Sequence, residues 1–241
     1  MALRKPVAVA GALVGGALVA WIVTFVRMRG MDTGPGAELG GLGWYLGIWV
    51  TMTAAMMLPA TVPMVVVFSR VSRERAQHRS FLGAPTWVFL AGYLVTWTLY
   101  GLVAYGLDRG ARSAAPDLLT WLHGERYPAG AALVAAGLYE LTPLKEVCLR
   151  HCRGPIHFVH AGWRDGSAGA LRMGSEHGLY CVGCCSGLML ALFALGVMSL
   201  AWMAVIAFLI FVQKVLPLGD RLAPVVSVAF VALATWVVAS A

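Results

Sequence analysis

Long apolar segments restrict the fold of this chain more than any other feature of its sequence. A helix needs roughly 20 mostly apolar residues to cross the hydrocarbon of a bilayer, and seven segments approach or reach that length. Hydrophobic residues make up 60% of the chain and charged residues 12%, against about 25% charged residues in an average soluble domain. Because lipid offers the backbone no hydrogen bonds, these segments predict an all-α bundle of transmembrane helices.

The seven predicted spans form a single membrane domain over residues 1–241. The run from residue 178 to 216 is too long for one span, and the segment Gly196–Ser199 predicts a turn that divides it. The fourth span is the weakest, because it contains Glu140, Lys145 and Glu146. The predicted spans are 7–26, 43–68, 87–107, 128–152, 178–196, 199–216 and 223–238.

The positive charges predict which side of the membrane each loop faces, since Lys and Arg concentrate in cytoplasmic loops. With the N-terminus in the cytoplasm, 13 of the 18 Lys and Arg residues fall on the cytoplasmic side. The other five are Arg27, Arg29, Arg109, Arg112 and Arg126. We attribute the net charge of +7 to basic cytoplasmic loops and to their contact with anionic lipid headgroups, because no nucleic-acid-binding module is recognisable.

All five cysteines fall at one predicted depth, near the cytoplasmic ends of the fourth and fifth spans. Residues three or four apart share a helical face. Two such faces combine thiols with imidazoles: Cys148, His151 and Cys152 on one, and His177, Cys181, Cys184 and Cys185 on the other. The cytoplasm keeps thiols reduced, and an odd number of cysteines disfavours a complete disulfide framework.

Soft thiolate and thioether ligands select copper(I), zinc or iron–sulfur clusters. The two faces therefore predict one shared metal site near the cytoplasmic surface, with copper(I) favoured and zinc second. The cysteine spacing is not that of a soluble zinc finger. The alternative is that each buried cysteine serves only as a small apolar residue.

Methionines along the second span extend this soft-donor pattern through the membrane. Pro59 and Pro63 interrupt the backbone hydrogen bonds of that span, which can expose carbonyl groups to a cavity. We interpret the pattern as a path for a soft cation, although methionines at helical spacing are also common core packing. The predicted path residues are Met52, Met56, Met57, Met64, Met189 and the carboxylate Glu140.

Glu140 is an ionisable residue inside a predicted span, which is costly and typical of a functional site. It is expected to act as an oxygen ligand or proton acceptor, or to form an intramembrane ion pair with Lys214. Lys145 and Lys214 themselves are expected near the inner headgroups, where a long side chain can reach water.

Three sequence blocks resemble a family of bacterial integral membrane proteins described only as predicted metal-binding proteins of unknown function. The blocks are WVTMTAAMMLPATVP (49–63), YELTPLKEVCLRHCRGP (139–155) and HGLYCVGCCSGLMLALFALGVMSLAWM (177–203). The resemblance implies a multi-pass protein of the bacterial inner membrane. The residues it implies for the metal are Met52, Met56, Met57, Cys148, Cys152, Cys181, Cys184 and Cys185. Two positions depart from the family pattern, with Ser186 where Trp is usual and Gln213 where Glu is usual.

The leading functional hypothesis is a membrane protein that binds copper(I) and moves it, or passes it to a partner protein or metallochaperone. The sequence contains no phosphate-binding loop, so an ATP-driven pump within this chain is disfavoured and an enzyme is not the favoured class. One alternative is a membrane thiol–disulfide oxidoreductase that uses Cys181 and Cys184, with Cys148 or Cys152 as the resolving thiol. Another is a scaffold subunit that docks a partner through the predicted loop 153–176.

Overall fold

The computed structural model describes residues 4–29, 40–78, 84–114, 126–197, 199–216 and 219–239. Within these ranges the chain forms nine helices and no strands, which confirms the all-α prediction. In chain order they are α1 (Arg4–Met28), α2 (Leu42–His78), α3 (Thr86–Ala114), α4 (Arg126–Glu140), α5 (Pro143–Arg153), α6 (Pro155–Ala161), α7 (Gly166–Leu195), α8 (Leu200–Val215) and α9 (Gly219–Ala239).

Five helices of the described part are long and apolar enough to cross a membrane. These candidate spans are Pro6–Met28, Leu42–Gln77, Thr86–Gly110, Gly166–Leu195 and Arg221–Ala239. The two other predicted spans coincide with shorter helices: α8 is apolar but has 16 residues, and α4 has 15. The predicted division of residues 178–216 is present, because α7 ends at Leu195 and α8 begins at Leu200. The prediction of about seven spans is not confirmed.

The predicted fourth span, 128–152, is not a single helix. α4 ends at Glu140, and Thr142 has the extended backbone angles φ −76° and ψ 145°. Pro143 disfavours a helical conformation at the preceding residue and has no N–H for the helical hydrogen bonds. The Thr142 side chain accepts a hydrogen bond from the Lys145 backbone N–H at 3.4 Å, which caps the new helix α5. The prediction of one continuous helix here is therefore wrong.

The segment 153–176, predicted as a loop, is mostly helical. It contains α6 and the first turns of α7, which begins at Gly166 instead of residue 178. It was expected to be a loop because it lies between the fourth and fifth predicted spans. In the structure, glycines let α7 approach α3 closely, as small residues do at membrane helix interfaces. A Cβ added at Gly178 would lie 2.7 Å from Thr96 Cβ.

α7 lies at the centre of the fold and contacts α3, α4, α5 and α8. α2 contacts α1, α3, α6 and α8, and α9 packs against α4 and α8. α2 continues through both of its prolines, so the interruption is limited to the two hydrogen bonds that Pro59 and Pro63 cannot donate. The outer faces expose large apolar side chains, among them Ile22, Trp87 and Phe208.

Candidate metal centre

Three sulfur atoms join α5 to α7 in a row that we name the sulfur chain: Cys152, Cys184 and Cys185. Cys152 Sγ lies 3.7 Å from Cys184 Sγ, and Cys184 Sγ lies 3.6 Å from Cys185 Sγ. All five cysteines are free thiols; Cys152 is half-buried and the other four are buried. The structure thus brings together the two cysteine faces that the sequence places on different helices.

The local sequence explains why these thiols meet. A new helix begins at Pro143, and one face of α5, which includes Cys148 and Leu149, is buried in the core. Arg150 and Glu146 lie on the opposite face and form an exposed ion pair. Cys152 follows Cys148 by one helical turn and so lies over α7.

Cys148 lies beside the sulfur chain, against Gly183 of α7. A Cβ added at Gly183 would lie only 2.5 Å from Cys148 Sγ, so this contact requires a residue without a side chain. The Tyr139 hydroxyl donates a hydrogen bond to the Gly183 carbonyl at 2.5 Å and holds α4 against the same turn.

Cys181 has two polar neighbours that sequence reasoning did not place there. Lys214 Nζ of α8 donates a hydrogen bond to Cys181 Sγ at 2.6 Å, and the Tyr93 hydroxyl of α3 lies 2.9 Å from the same sulfur. Lys214 is 8% exposed, so the expectation that its ammonium group reaches the headgroups is wrong. Its position near the end of an apolar helix gave no signal for this contact.

The two predicted histidine ligands do not join the sulfur chain. His151 stacks on the Tyr180 ring with centroids 4.2 Å apart, and its Nδ1 lies 2.8 Å from the Val147 carbonyl. His177 is buried and stacks with the Tyr93 ring at 5.6 Å. Its Nδ1 has no hydrogen-bond partner among the described residues. Helical spacing placed both imidazoles on the cysteine faces, but ring packing directs them elsewhere.

Glu140 forms a buried ion pair, and its partner is Lys145 rather than Lys214. Gln213 completes the group, because its Oε1 accepts a hydrogen bond from Lys145 at 2.9 Å and its Nε2 donates one to Glu140 at 2.9 Å. Lys145 is 1% exposed, so it does not extend to the headgroups either. Gln213, at the position where the resembled family usually has Glu, therefore bonds both charged groups.

Most of the predicted methionines lie in the core that contains the thiols. The shared cluster of buried side chains includes four of the cysteines and the methionines Met52, Met56, Met57 and Met189. Met64 belongs to a separate cluster around Phe68 and Phe89. Met28 and Met203 also lie in the shared cluster and are not among the predicted path residues.

The sulfur chain fits a soft metal ion held by two neighbouring sulfurs. Two sulfurs bound to one ion at about 2.3 Å are at most about 4.6 Å apart, so one ion can bridge either observed pair. Within the described ranges, no three His, Cys, Asp or Glu side chains are grouped so as to hold a metal ion. The contacts Cys152–Cys184 and Cys184–Cys185 each offer one ion a pair of sulfur donors, and the Cys181 thiol also interacts with those of Cys184 and Cys185.

Thiol and thioether sulfurs are the donors that soft metal ions prefer, and this helical core contains both. The chain matches the copper chaperone family PpoB2 over residues 46–237, and it belongs to that family. This match confirms the prediction of a copper-related protein. No curated protein and no solved structure matches the chain.

Proposed function

We propose that this protein binds copper(I) as its cargo at the sulfur chain and transfers it to a partner protein by thiol exchange. The observation that carries the proposal is the row of three sulfurs from Cys152 to Cys185, with separations of 3.7 and 3.6 Å. Membership of a copper chaperone family supports copper as the metal.

The donor chemistry favours copper(I) over zinc. Thiolate and thioether sulfur suit copper(I), whereas structural zinc requires four ligands in a closed tetrahedron. The sulfur chain offers sulfurs in adjacent pairs, and the neighbouring donors are thioethers: Met52, Met56, Met57 and Met189. These neutral thioethers form the proposed path by which copper(I) reaches the thiols or leaves them. Glu140 is engaged with Lys145 and Gln213, which makes it a weaker member of that path.

Cys152 is the proposed point of transfer. It is half-buried while the other four cysteines are buried, so an incoming thiolate can reach its sulfur first. Copper(I) would then pass from sulfur to sulfur along the chain. A partner protein or metallochaperone that presents a thiol fits this exchange.

We place the protein in the bacterial inner membrane, with the cysteines near the cytoplasmic side. The five long apolar helices and their exposed apolar side chains support insertion into lipid, and the distribution of Lys and Arg supports the orientation. With seven crossings, we expect an alkaline phosphatase fused to the C-terminus to be active outside the cytoplasm. Seven crossings with this orientation would be contradicted if the alkaline phosphatase fusion were inactive while a reporter that works only in the cytoplasm were active at the same C-terminus.

Copper binding is tested by titrating anaerobically purified protein with copper(I) in competition with a chromophoric copper(I) chelator. We expect about one equivalent to bind tightly, because both contacts of the sulfur chain include Cys184 and so compete for one ion. Zinc is expected to bind more weakly in a parallel titration. Absence of copper(I) binding by the fully reduced protein would refute the proposed function.

One contact also supports thiol–disulfide exchange as a second candidate function. Cys152 and Cys184 lie on different helices with their sulfurs 3.7 Å apart, so a disulfide would link α5 to α7. This contact makes Cys152 the resolving thiol for Cys184 in such an exchange. If the protein binds no copper(I) but forms a trappable mixed disulfide through Cys184 or Cys152, this second function replaces the first.

A further inference from the structure

Side chains that can bind a soft metal ion occupy every fourth residue along the buried face of α7. Residues four apart on a helix lie on one ridge, with a rise of about 6 Å from each to the next. The last three share one cluster of buried side chains with the sulfur chain, whereas the first two have no part in the proposed function. The five are Met173, His177, Cys181, Cys185 and Met189.

The His177 imidazole is enclosed by aromatic rings and has a ring nitrogen without a partner. It is 2% exposed, and its Nδ1 accepts or donates no hydrogen bond among the described residues. Phe89 and Tyr93 of α3 stack on it with centroids 6.1 and 5.6 Å away, and Phe158 of α6 crosses it edge-on at 5.6 Å. Because buried polar atoms in native proteins nearly always have a partner, this nitrogen is expected to serve as a binding group.

Two sulfurs lie one helical turn from His177 on the same face of α7. Met173 precedes it by four residues and Cys181 follows it by four, and side chains at this spacing have Cβ atoms about 5–6 Å apart. Cys181 Sγ already contacts Lys214 and the Tyr93 hydroxyl. Met173, which is fully buried, is therefore the neighbouring sulfur available to His177.

An imidazole nitrogen and a thioether sulfur together suit copper(I). Imidazole and thioether are both copper ligands, whereas zinc sites use thiolate, imidazole and carboxylate. Both groups are neutral, so a bound copper(I) ion keeps its positive charge. The ring faces of Phe89 and Tyr93 lie about 6 Å from the imidazole and would stabilise that charge by cation–π attraction.

The pair lies at the level where α7 meets water. Arg172 and Glu176, the residues immediately before Met173 and His177, form an ion pair whose side chains are 65% and 33% exposed. Cys181 is one turn further along the helix, on the side of the core. Met173 and His177 are therefore nearer to the aqueous end of α7 than its thiols are.

We propose that His177 Nδ1 and Met173 Sδ form a second copper(I) site, separate from the sulfur chain and nearer to water. The two sites have no ligand in common, so this inference and the proposed function can fail independently. The sulfur chain is expected to be the tighter site, because its thiols bind as thiolates and the second site offers only neutral ligands.

The first test titrates anaerobically purified protein with copper(I) against a strong and then a weak chromophoric chelator. After the tight equivalent, we expect the wild type to bind a second, weaker one. His177→Phe keeps an aromatic ring without nitrogen, and Met173→Leu keeps a similar volume without sulfur. Each is expected to lose the second equivalent and keep the first. A second equivalent that is absent from the wild type, or that persists in both variants, would overturn the inference.

His151→Phe and Met28→Leu are the matched controls. His151 stacks on Tyr180, and its Nδ1 lies 2.8 Å from a backbone carbonyl. Met28 is a buried thioether on α1. Both controls are expected to keep both equivalents. If both instead lose the second equivalent as the test variants do, the loss is a general effect of repacking and the assignment is wrong.

X-ray absorption spectra of the wild type supply a measurement that does not depend on the folding of any variant. With one equivalent of copper(I) we expect sulfur ligands, and with two we expect an added contribution from an imidazole nitrogen. Sulfur alone at two equivalents would overturn the inference and leave the proposed function intact. A single weak equivalent with an imidazole ligand, and no tight equivalent, would refute the proposed function and support the second site.

Discussion

Replacing Cys184 with alanine is expected to weaken copper(I) binding by more than the roughly 10- to 100-fold that loss of an outer-shell partner typically costs. Cys184 is the middle member of the sulfur chain, with neighbours at 3.7 and 3.6 Å. Both contacts of the sulfur chain include Cys184, so Cys184→Ala removes both of them. Cys152→Ala and Cys185→Ala each leave one pair and should have smaller effects. The measurement is the copper(I) dissociation constant by anaerobic chelator competition.

Cys148→Ala provides the matched control for this prediction. Cys148 is a buried thiol of the same core, but its sulfur lies against Gly183 instead of another sulfur. We expect its replacement to change copper(I) affinity far less than Cys184→Ala does. Equal losses in the two variants would show that the adjacent sulfur pairs do not form the binding site.

Glu140→Ala is expected to destabilise the protein by about 3–5 kcal/mol, the usual cost of breaking a buried ion pair from one side. The change leaves the ammonium group of Lys145 buried and without its carboxylate. Gln213 can still accept a hydrogen bond from Lys145, but it carries no charge. Chemical denaturation in detergent, followed by the loss of helical circular dichroism, measures the effect.

The matched control is Glu146→Ala, which removes the carboxylate of the exposed ion pair with Arg150 on the same helix. Exposed pairs contribute at most about 1 kcal/mol, so this variant should differ little from the wild type. The double variant Glu140→Gln/Lys145→Met removes both charges and should recover most of the lost stability. If Glu140→Ala is no less stable than Glu146→Ala, the ion pair does not hold α4 and α5 in register.

Several features could be read from the sequence because they depend on local chemistry. Helix positions follow from long apolar runs, and the turn between α7 and α8 follows from the segment around Gly196. The break in the fourth span was missed, although Pro143 marks it. Average hydropathy over 128–152 does not show that one helix ends before this proline and that a new helix, capped by Thr142, begins at it. The early start of α7 was missed because residues 166–177 precede the apolar run that defined the predicted span, which begins only at residue 178.

Partners between helices were harder to predict than faces within a helix. Spacing correctly grouped Cys181, Cys184 and Cys185 on the buried side of α7. The same spacing placed His151 and His177 beside them, but both imidazoles instead stack on tyrosine rings. Periodicity gives the direction of a side chain around its own helix axis. It does not predict which residues of other helices lie in that direction.

By itself, the sequence determined that this chain is helical and that cysteines and methionines lie on the buried faces of its helices. Only the tertiary structure decided which sulfurs adjoin, that Glu140 pairs with Lys145, and that Lys214 contacts Cys181. Apolar runs and helical spacing are local properties, so they can be read along the chain. The partners of a buried charge depend on the relative rotation and depth of helices far apart in sequence, which are set only when those helices pack.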